Sequence, residues 1–153
     1  MKALDLELLN LQDKLRYTNL EGVERLRCAI RRKWLFPTPE EVVRQLLLIY
    51  LTEKAGYSKN TLSVEQSLKV NGLERRADII VTDKDGQPWL LIECKAPYIK
   101  LDQTTFDQAA RYNRTLKVPF LLVCNGQDAY CCKVDLENER YENLSQLPTY
   151  PVI

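Results

Sequence analysis

The 153-residue chain contains no histidine. Its absence removes Ser–His–Asp hydrolysis, Cys–His proteolysis, His-based zinc nucleases and two-His iron oxygenases, all of which need an imidazole. Chemistry must therefore run on carboxylates, lysine, cysteine or tyrosine, usually with a metal. Glycine (5) and proline (7) are sparse, and 22 basic residues nearly balance 21 acidic ones. Such a composition excludes disorder, collagen and coiled coil. The longest apolar run, Leu46–Leu51, falls far short of the roughly 20 residues that cross a bilayer. The first fifteen residues carry early acids and no apolar stretch of the signal-peptide kind. No CxxC pair occurs among the five cysteines at 28, 94, 124, 131 and 132. Cys94, Cys124 and Cys131 lie in or against apolar strand-like runs, where a thiol is usually a small buried hydrophobe. Adjacent Cys131 and Cys132 would face opposite sides of a strand, a poor arrangement for chelating one metal. Reduced thiols and a cytoplasmic protein are expected.

What remains is one ordinary domain: an N-terminal hairpin extension (1–34), a core (35–147) and a short tail (148–153). Residues 15–19 and 23–28 flank Leu20-Glu21-Gly22 as a hairpin. Residues 1–34 hold eight Lys/Arg against five Asp/Glu, including Arg31-Arg32-Lys33 beside Trp34. This basic bias reads either as a phosphate-touching patch or as the solvated edge of the hairpin. Thr38-Pro39-Glu40-Glu41 starts a helix, with Thr38 as cap, Pro39 at the first helical position and Glu41 completing a capping box. Val42, Val43, Leu46, Leu47, Ile49 and Tyr50 supply its apolar stripe, and Gly56 ends it. Three strands follow, Leu62–Val70, Arg75–Thr82 and Pro88–Lys95, turned by Asn71-Gly72 and by Asp83–Gly86. A second helix runs from about Asp102 to Lys117. Strands at Phe120–Cys124, Tyr130–Val134 and Tyr141–Leu144 close the chain. The order predicts a mixed α/β sandwich on a central sheet.

Chemistry concentrates on the second and third of those strands. Strand side chains alternate faces, so Glu93 and Lys95 share one face while Cys94 takes the other. Pairing through the Asp83–Gly86 turn sets Asp78 beside Glu93. Two carboxylates and one ammonium at one spot suit octahedral Mg²⁺ that keeps waters and takes a phosphate. A wet polar face with a local Glu93–Lys95 pair explains the same residues without catalysis. On the second helix Gln108 and Tyr112 share a face that approaches this spot. Phe106, Ala109 and Ala110 face the sheet.

These segments resemble the N-terminal nuclease domain of type I restriction enzyme R subunits, within the PD-(D/E)xK phosphodiesterase superfamily. The resemblance runs through Lys33–Gln45, Arg76-Ala-Asp-Ile-Ile-Val, Leu91-Ile-Glu-Cys-Lys-Ala-Pro, Phe106-Asp-Gln-Ala-Ala-Arg-Tyr-Asn and Leu122-Val-Cys-Asn-Gly. It implies a restriction-endonuclease-like fold with a helix–three strands–helix–strand core. It also implies Mg²⁺-dependent endonucleolytic hydrolysis of DNA, with Mn²⁺ able to substitute. Asp78 and Glu93 would hold the metal, Lys95 would be the catalytic lysine, and Gln108 and Tyr112 would match the family's Gln-x-x-x-Tyr element. A glutamate of the first helix often joins such a site, here Glu41 with Glu40 as competitor. Arg76, Arg111 and Lys95 would meet the nucleic acid. Restriction-system or motor subunits are the implied partners, and paired cuts would favour a homodimer. None of the five glycines forms a GxxxxGK loop, so ATP use does not carry over. The alternative is a catalytically silent module that keeps the fold to bind nucleic acid or protein.

Overall fold

Two tight turns set the registers of the antiparallel hairpins. Glu21-Gly22 and Asn71-Gly72 both place two successive residues at positive φ (52° and 82°, 51° and 79°), the pairing whose twist matches that of the flanking strands. The computed structural model describes residues 3–151, leaving aside the side chains of Val70, Tyr112 and Thr115. Three short strands, β1 (Tyr17–Leu20), β2 (Val23–Cys28) and β3 (Lys33–Leu35), form an antiparallel sheet of their own. The expected hairpin is thus present and gains a third strand. Helix α1 (Pro39–Glu53) follows. Then come β4 (Leu62–Val70), β5 (Leu73–Thr82), β6 (Pro88–Cys94), helix α2 (Gln103–Leu116), β7 (Phe120–Cys124), β8 (Ala129–Asp135) and β9 (Arg140–Leu144).

The last six strands make one mixed sheet in sequence order, β4 to β9. Only β6 and β7 run parallel there, joined by α2 as the crossover, since a parallel pair needs a connection of a dozen or more residues. Each sheet face buries its own core. On one side Ile79, Val81, Leu90, Ile92 and Cys94 pack with Val43, Leu46, Leu47 and Leu51 of α1. On the other, Ile80, Leu91, Leu121 and Val123 pack with Phe106, Ala109 and Ala110 of α2. Burial on both faces explains why β6 and β7 read as continuous apolar runs. Tyr150 ties down the described part of the tail: its hydroxyl donates to the Thr82 carbonyl at 2.7 Å, and its ring packs on Tyr57 and Trp89.

Thr38 caps α1 by accepting from the Glu41 amide at 3.1 Å. The reciprocal half of the expected capping box is not made. The Thr38 amide donates to the Phe36 carbonyl at 2.9 Å, while the Glu41 carboxylate turns inward to Arg31, Arg44 and Gln45. Two guanidinium groups, each a full positive charge, outcompete one neutral backbone amide for the same carboxylate. All five cysteines are free and buried, and no helix among the described residues is long and apolar enough to cross a membrane.

Candidate active site

Asp78 sits where β5, still paired with β4 on both flanks, leaves its ladder with β6. The β5–β6 ladder runs from Val81↔Leu90 to Ile79↔Ile92, and one further step brings Asp78 opposite Glu93. At that step the Asp78 side chain replaces the ladder: Oδ2 accepts from the Cys94 amide at 2.8 Å. On the other side, β4 and β5 pair on both flanks of Asp78, at Val64↔Ile79 and Gln66↔Ala77. The residue between Val64 and Gln66 is Glu65, held at φ 57°. A left-handed conformation costs a non-glycine residue roughly 1–2 kcal/mol. Here it re-aims the Glu65 carboxylate at Arg44, 2.9 Å away. Ile79 joins the α1-side core and Ala77 the α2-side core, so the strand turns over at the acidic position.

The sheet therefore brings together what the spacing predicted. Glu93 shares a face with Leu91 on the α2 side. Its carboxyl meets Asp78, and burial, followed by the Asp78 charge, pushes it up to about 8. Two carboxylates this close in a desolvated place resist being ionised together. Lys95 continues the β6 line, its amide bonded to the Cys124 carbonyl at 2.8 Å. Glu93 and Lys95 open with Asn71, Arg75, Arg76, Thr105, Gln108 and Arg111 onto a cleft of about 540 Å³. Both predicted arginines, Arg76 and Arg111, thus lie at the site, and Gln108 of α2 joins them. Tyr112 stands on α2 one turn beyond Gln108, and its side chain lies outside the described residues.

Two charged residues escaped the reading of the sequence. Arg44, in the middle of α1, is 5% exposed. Its guanidinium reaches Asp78 Oδ1 at 2.7 Å, Glu41 Oε1 at 2.8 Å, Glu65 Oε1 at 2.9 Å and Glu40 Oε1 at 3.2 Å. Burial opposes its charge, but the hydrogen bond and charge of Asp78 dominate and raise its pKa. Within the sequence, Arg44 reads only as a polar break in an apolar helix, and Glu65 as one of several polar residues on a strand. Contact between α1 and the sheet turns them into part of the site.

The two helix glutamates separate clearly. Glu41 is buried and bonded to Arg31, Arg44 and Gln45. Burial raises its pKa, but the Arg31 hydrogen bond and the Arg44 charge outweigh this and hold it below the ordinary value. Glu40 is half-exposed, with one contact to Arg44. Its pKa is raised by burial and then by the charge of Asp78, with Arg44 and then Lys95 opposing. Glu40, then, is the helix glutamate with a carboxylate left over for a ligand.

Among the described residues no three acidic, cysteine or histidine groups form a ready-made metal cage. Asp78 and Glu93 nevertheless fit a hydrated divalent ion. Mg²⁺ commonly takes one or two carboxylates and keeps its remaining waters, and the proton that burial and then the Asp78 charge keep on Glu93 is what such an ion would displace. Arg44 supplies part of that positive charge at Asp78 Oδ1.

A mixed sheet with this acidic strand pair and a flanking helix on each face defines a restriction-endonuclease-like fold. The chain belongs to the family described as type I restriction enzyme R protein N terminus (HSDR_N), whose pattern matches residues 39–148. The fold is also similar to a fragment of a putative HsdR subunit of a type I restriction enzyme from Vibrio vulnificus YJ016. The likeness has 20% sequence identity and a TM-score of 0.52, and covers 72% of this chain and 23% of that one. No match is found among curated proteins.

Proposed function

We propose that this chain is a divalent-metal-dependent phosphodiesterase that cuts DNA as an endonuclease. The observation that supports this most is the meeting of Asp78 and Glu93 beside Lys95 at the mouth of an arginine-lined cleft, in a chain of a restriction-enzyme family. Asp78 and Glu93 would hold Mg²⁺, or Mn²⁺ in its place. The ion, when bound, supplies Lewis acidity toward water and the scissile phosphate. Lys95 places its ammonium where charge develops on phosphorus, and a preorganised cation is worth most in such a partly desolvated site. Gln108 orients the substrate from α2, with Tyr112 assigned beside it by motif alone. Arg75, Arg76 and Arg111 grip backbone phosphates and thereby position the chain without reading its bases. A cytoplasmic setting suits five free thiols. Restriction-system or motor subunits are the partners that membership of this family suggests.

A specific contact favours a second reading, a nucleic-acid-binding module that no longer cuts. Arg44 already satisfies Asp78 Oδ1, as a substitute cation would. The two readings part in one experiment. Purified chain is incubated with linear, circular and single-stranded DNA, with Mg²⁺ or Mn²⁺, beside an Asp78→Asn/Glu93→Gln variant. Cutting by the parent alone establishes the nuclease. Neither cutting nor calorimetric Mn²⁺ binding by the parent would replace it with the binding module.

A further inference from the structure

The three-stranded sheet ahead of α1 has one face in the core and one face in solvent. Leu26 and Cys28 of β2 are fully buried on the inner face. Directly paired residues share a face, so the registers Thr18↔Arg25, Leu20↔Val23 and Arg27↔Trp34 place all six of these side chains on the outer face. None of the six is buried, and Phe36, just past β3, is 59% exposed.

We propose that this outer face is a second nucleic-acid contact, a stacking platform for a single strand lying beside the acidic site. Two guanidinium–aromatic stacks stand side by side on it. Arg25 Cζ lies 3.9 Å from the centroid of the Phe36 ring, and Arg27 Cζ lies 5.4 Å from that of Trp34. Arg16 is set against Arg27 by a backbone bond of 2.8 Å. Among the described residues, Arg16, Arg25, Arg27, Arg32 and Lys33 make no ion pair, and the buried Nε of Arg25 has no acceptor. Within the same stretch only Arg31 is neutralised, by Glu41. Unpaired arginines, with Arg16, Arg25 and Arg27 on this face, stand around solvent-accessible flat groups and complement a polyanion that carries flat apolar faces, which is a single-stranded nucleic acid. An acidic polypeptide offers the charge without the faces. The placement also fits: Phe36 is four residues before Glu40, so the chain between them spans at most about 14 Å.

This assignment stands apart from the proposed nuclease activity, because strand binding is read without metal. Fluorescence anisotropy of labelled oligo-dT of about 16 nucleotides is followed in EDTA over a salt series. Oligo-U, duplex DNA and polyglutamate serve as the other ligands. The proteins are the parent, Arg25→Gln/Arg27→Gln, Phe36→Ala and, for the cleft, Arg75→Gln/Arg76→Gln. The first variant is expected to lower the log–log salt slope by about 1.4, at roughly 0.7 per lost phosphate contact. Phe36→Ala is expected to weaken oligo-dT at least about fivefold while leaving duplex unaffected. Tighter oligo-U than oligo-dT would identify the strand as RNA and keep the platform. Loss of binding in the cleft variant alone overturns the proposal. So does polyglutamate displacing the oligonucleotide at equal charge with Phe36→Ala silent, which would mark the face as a protein-docking surface.

Discussion

Arg44 Nη2 lies 2.7 Å from Asp78 Oδ1, joining the buried middle of α1 to the acidic turn-over point of β5. The guanidinium also contacts Glu41, Glu65 and Glu40, and so it neutralises the site from within. A divalent ion at Asp78 would compete with it for one carboxylate. Replacing Arg44 by Met keeps an unbranched, flexible stem and removes the guanidinium with its charge. The variant is expected to lose stability without metal, on the order of 3–5 kcal/mol, as when a buried pair loses one partner. It is also expected to gain more from Mn²⁺ than the parent. Thermal unfolding with and without Mn²⁺ measures both effects. An equal Mn²⁺ shift in the two proteins would show that Arg44 and the ion do not compete.

Glu93 makes the metal-free protein sensitive to alkali. Its pKa rises from 4.5 to about 8 on folding, through burial and then the Asp78 charge. Between those values the native state holds a proton that the unfolded chain has released. Stability is therefore greatest below about pH 4.5 as far as this group is concerned, and it declines as pH rises toward 8. Divalent-ion affinity should run the opposite way across the same window, because the ion displaces that proton. Urea unfolding from pH 5 to 8 tests the first claim and Mn²⁺ calorimetry over the same range the second. In Glu93→Gln the contribution of this group to the pH slope should vanish. An unchanged slope would assign the sensitivity elsewhere.

Lys95 has a half-buried side chain at the end of β6, and the backbone around it is held by the bond to Cys124. Lys95→Ala should therefore keep the fold and the affinity for Mn²⁺ while losing on the order of 10²-fold or more in turnover, the scale of removing one transition-state donor. Circular dichroism, calorimetry and a cleavage assay on one preparation separate these quantities. Loss of folding would make Lys95 structural.

Much of this site is local, and local features are legible in a sequence. Thr38-Pro39, Asn71-Gly72 and the Asp102 cap specify element ends by short-range chemistry, and each is found in place. The meeting of Asp78 with Glu93 follows from period-two alternation and one turn. Arg44 could not be found that way, because its partner Asp78 is 34 residues distant and belongs to another layer. Glu65 depends on a left-handed backbone position in mid-strand, which no local residue preference announces. The capping-box reading of Glu41 missed for a related reason. Its competing partners are Arg44, one turn along the same helix, and Arg31, in the chain before it, and only the folded layers bring both to bear on it.

The two glutamates at the start of α1 make the sharpest comparison. Glu41 is buried and neutralises Arg31 and Arg44, so Glu41→Gln leaves two guanidinium groups short of a partner. Destabilisation of about 1–3 kcal/mol is expected from this charge-assisted bonding. Glu40 is half-exposed and makes one contact, at 3.2 Å; exposed pairs of this kind contribute little. Glu40→Gln should therefore leave thermal stability nearly unchanged. Since its carboxyl already feels the charges of Asp78 and Lys95, it should instead weaken Mn²⁺ binding several-fold. Thermal melts and Mn²⁺ titrations of both variants decide between the candidates. Weakened metal binding in Glu41→Gln at undiminished stability, with Glu40→Gln silent, would return the ligand role to Glu41.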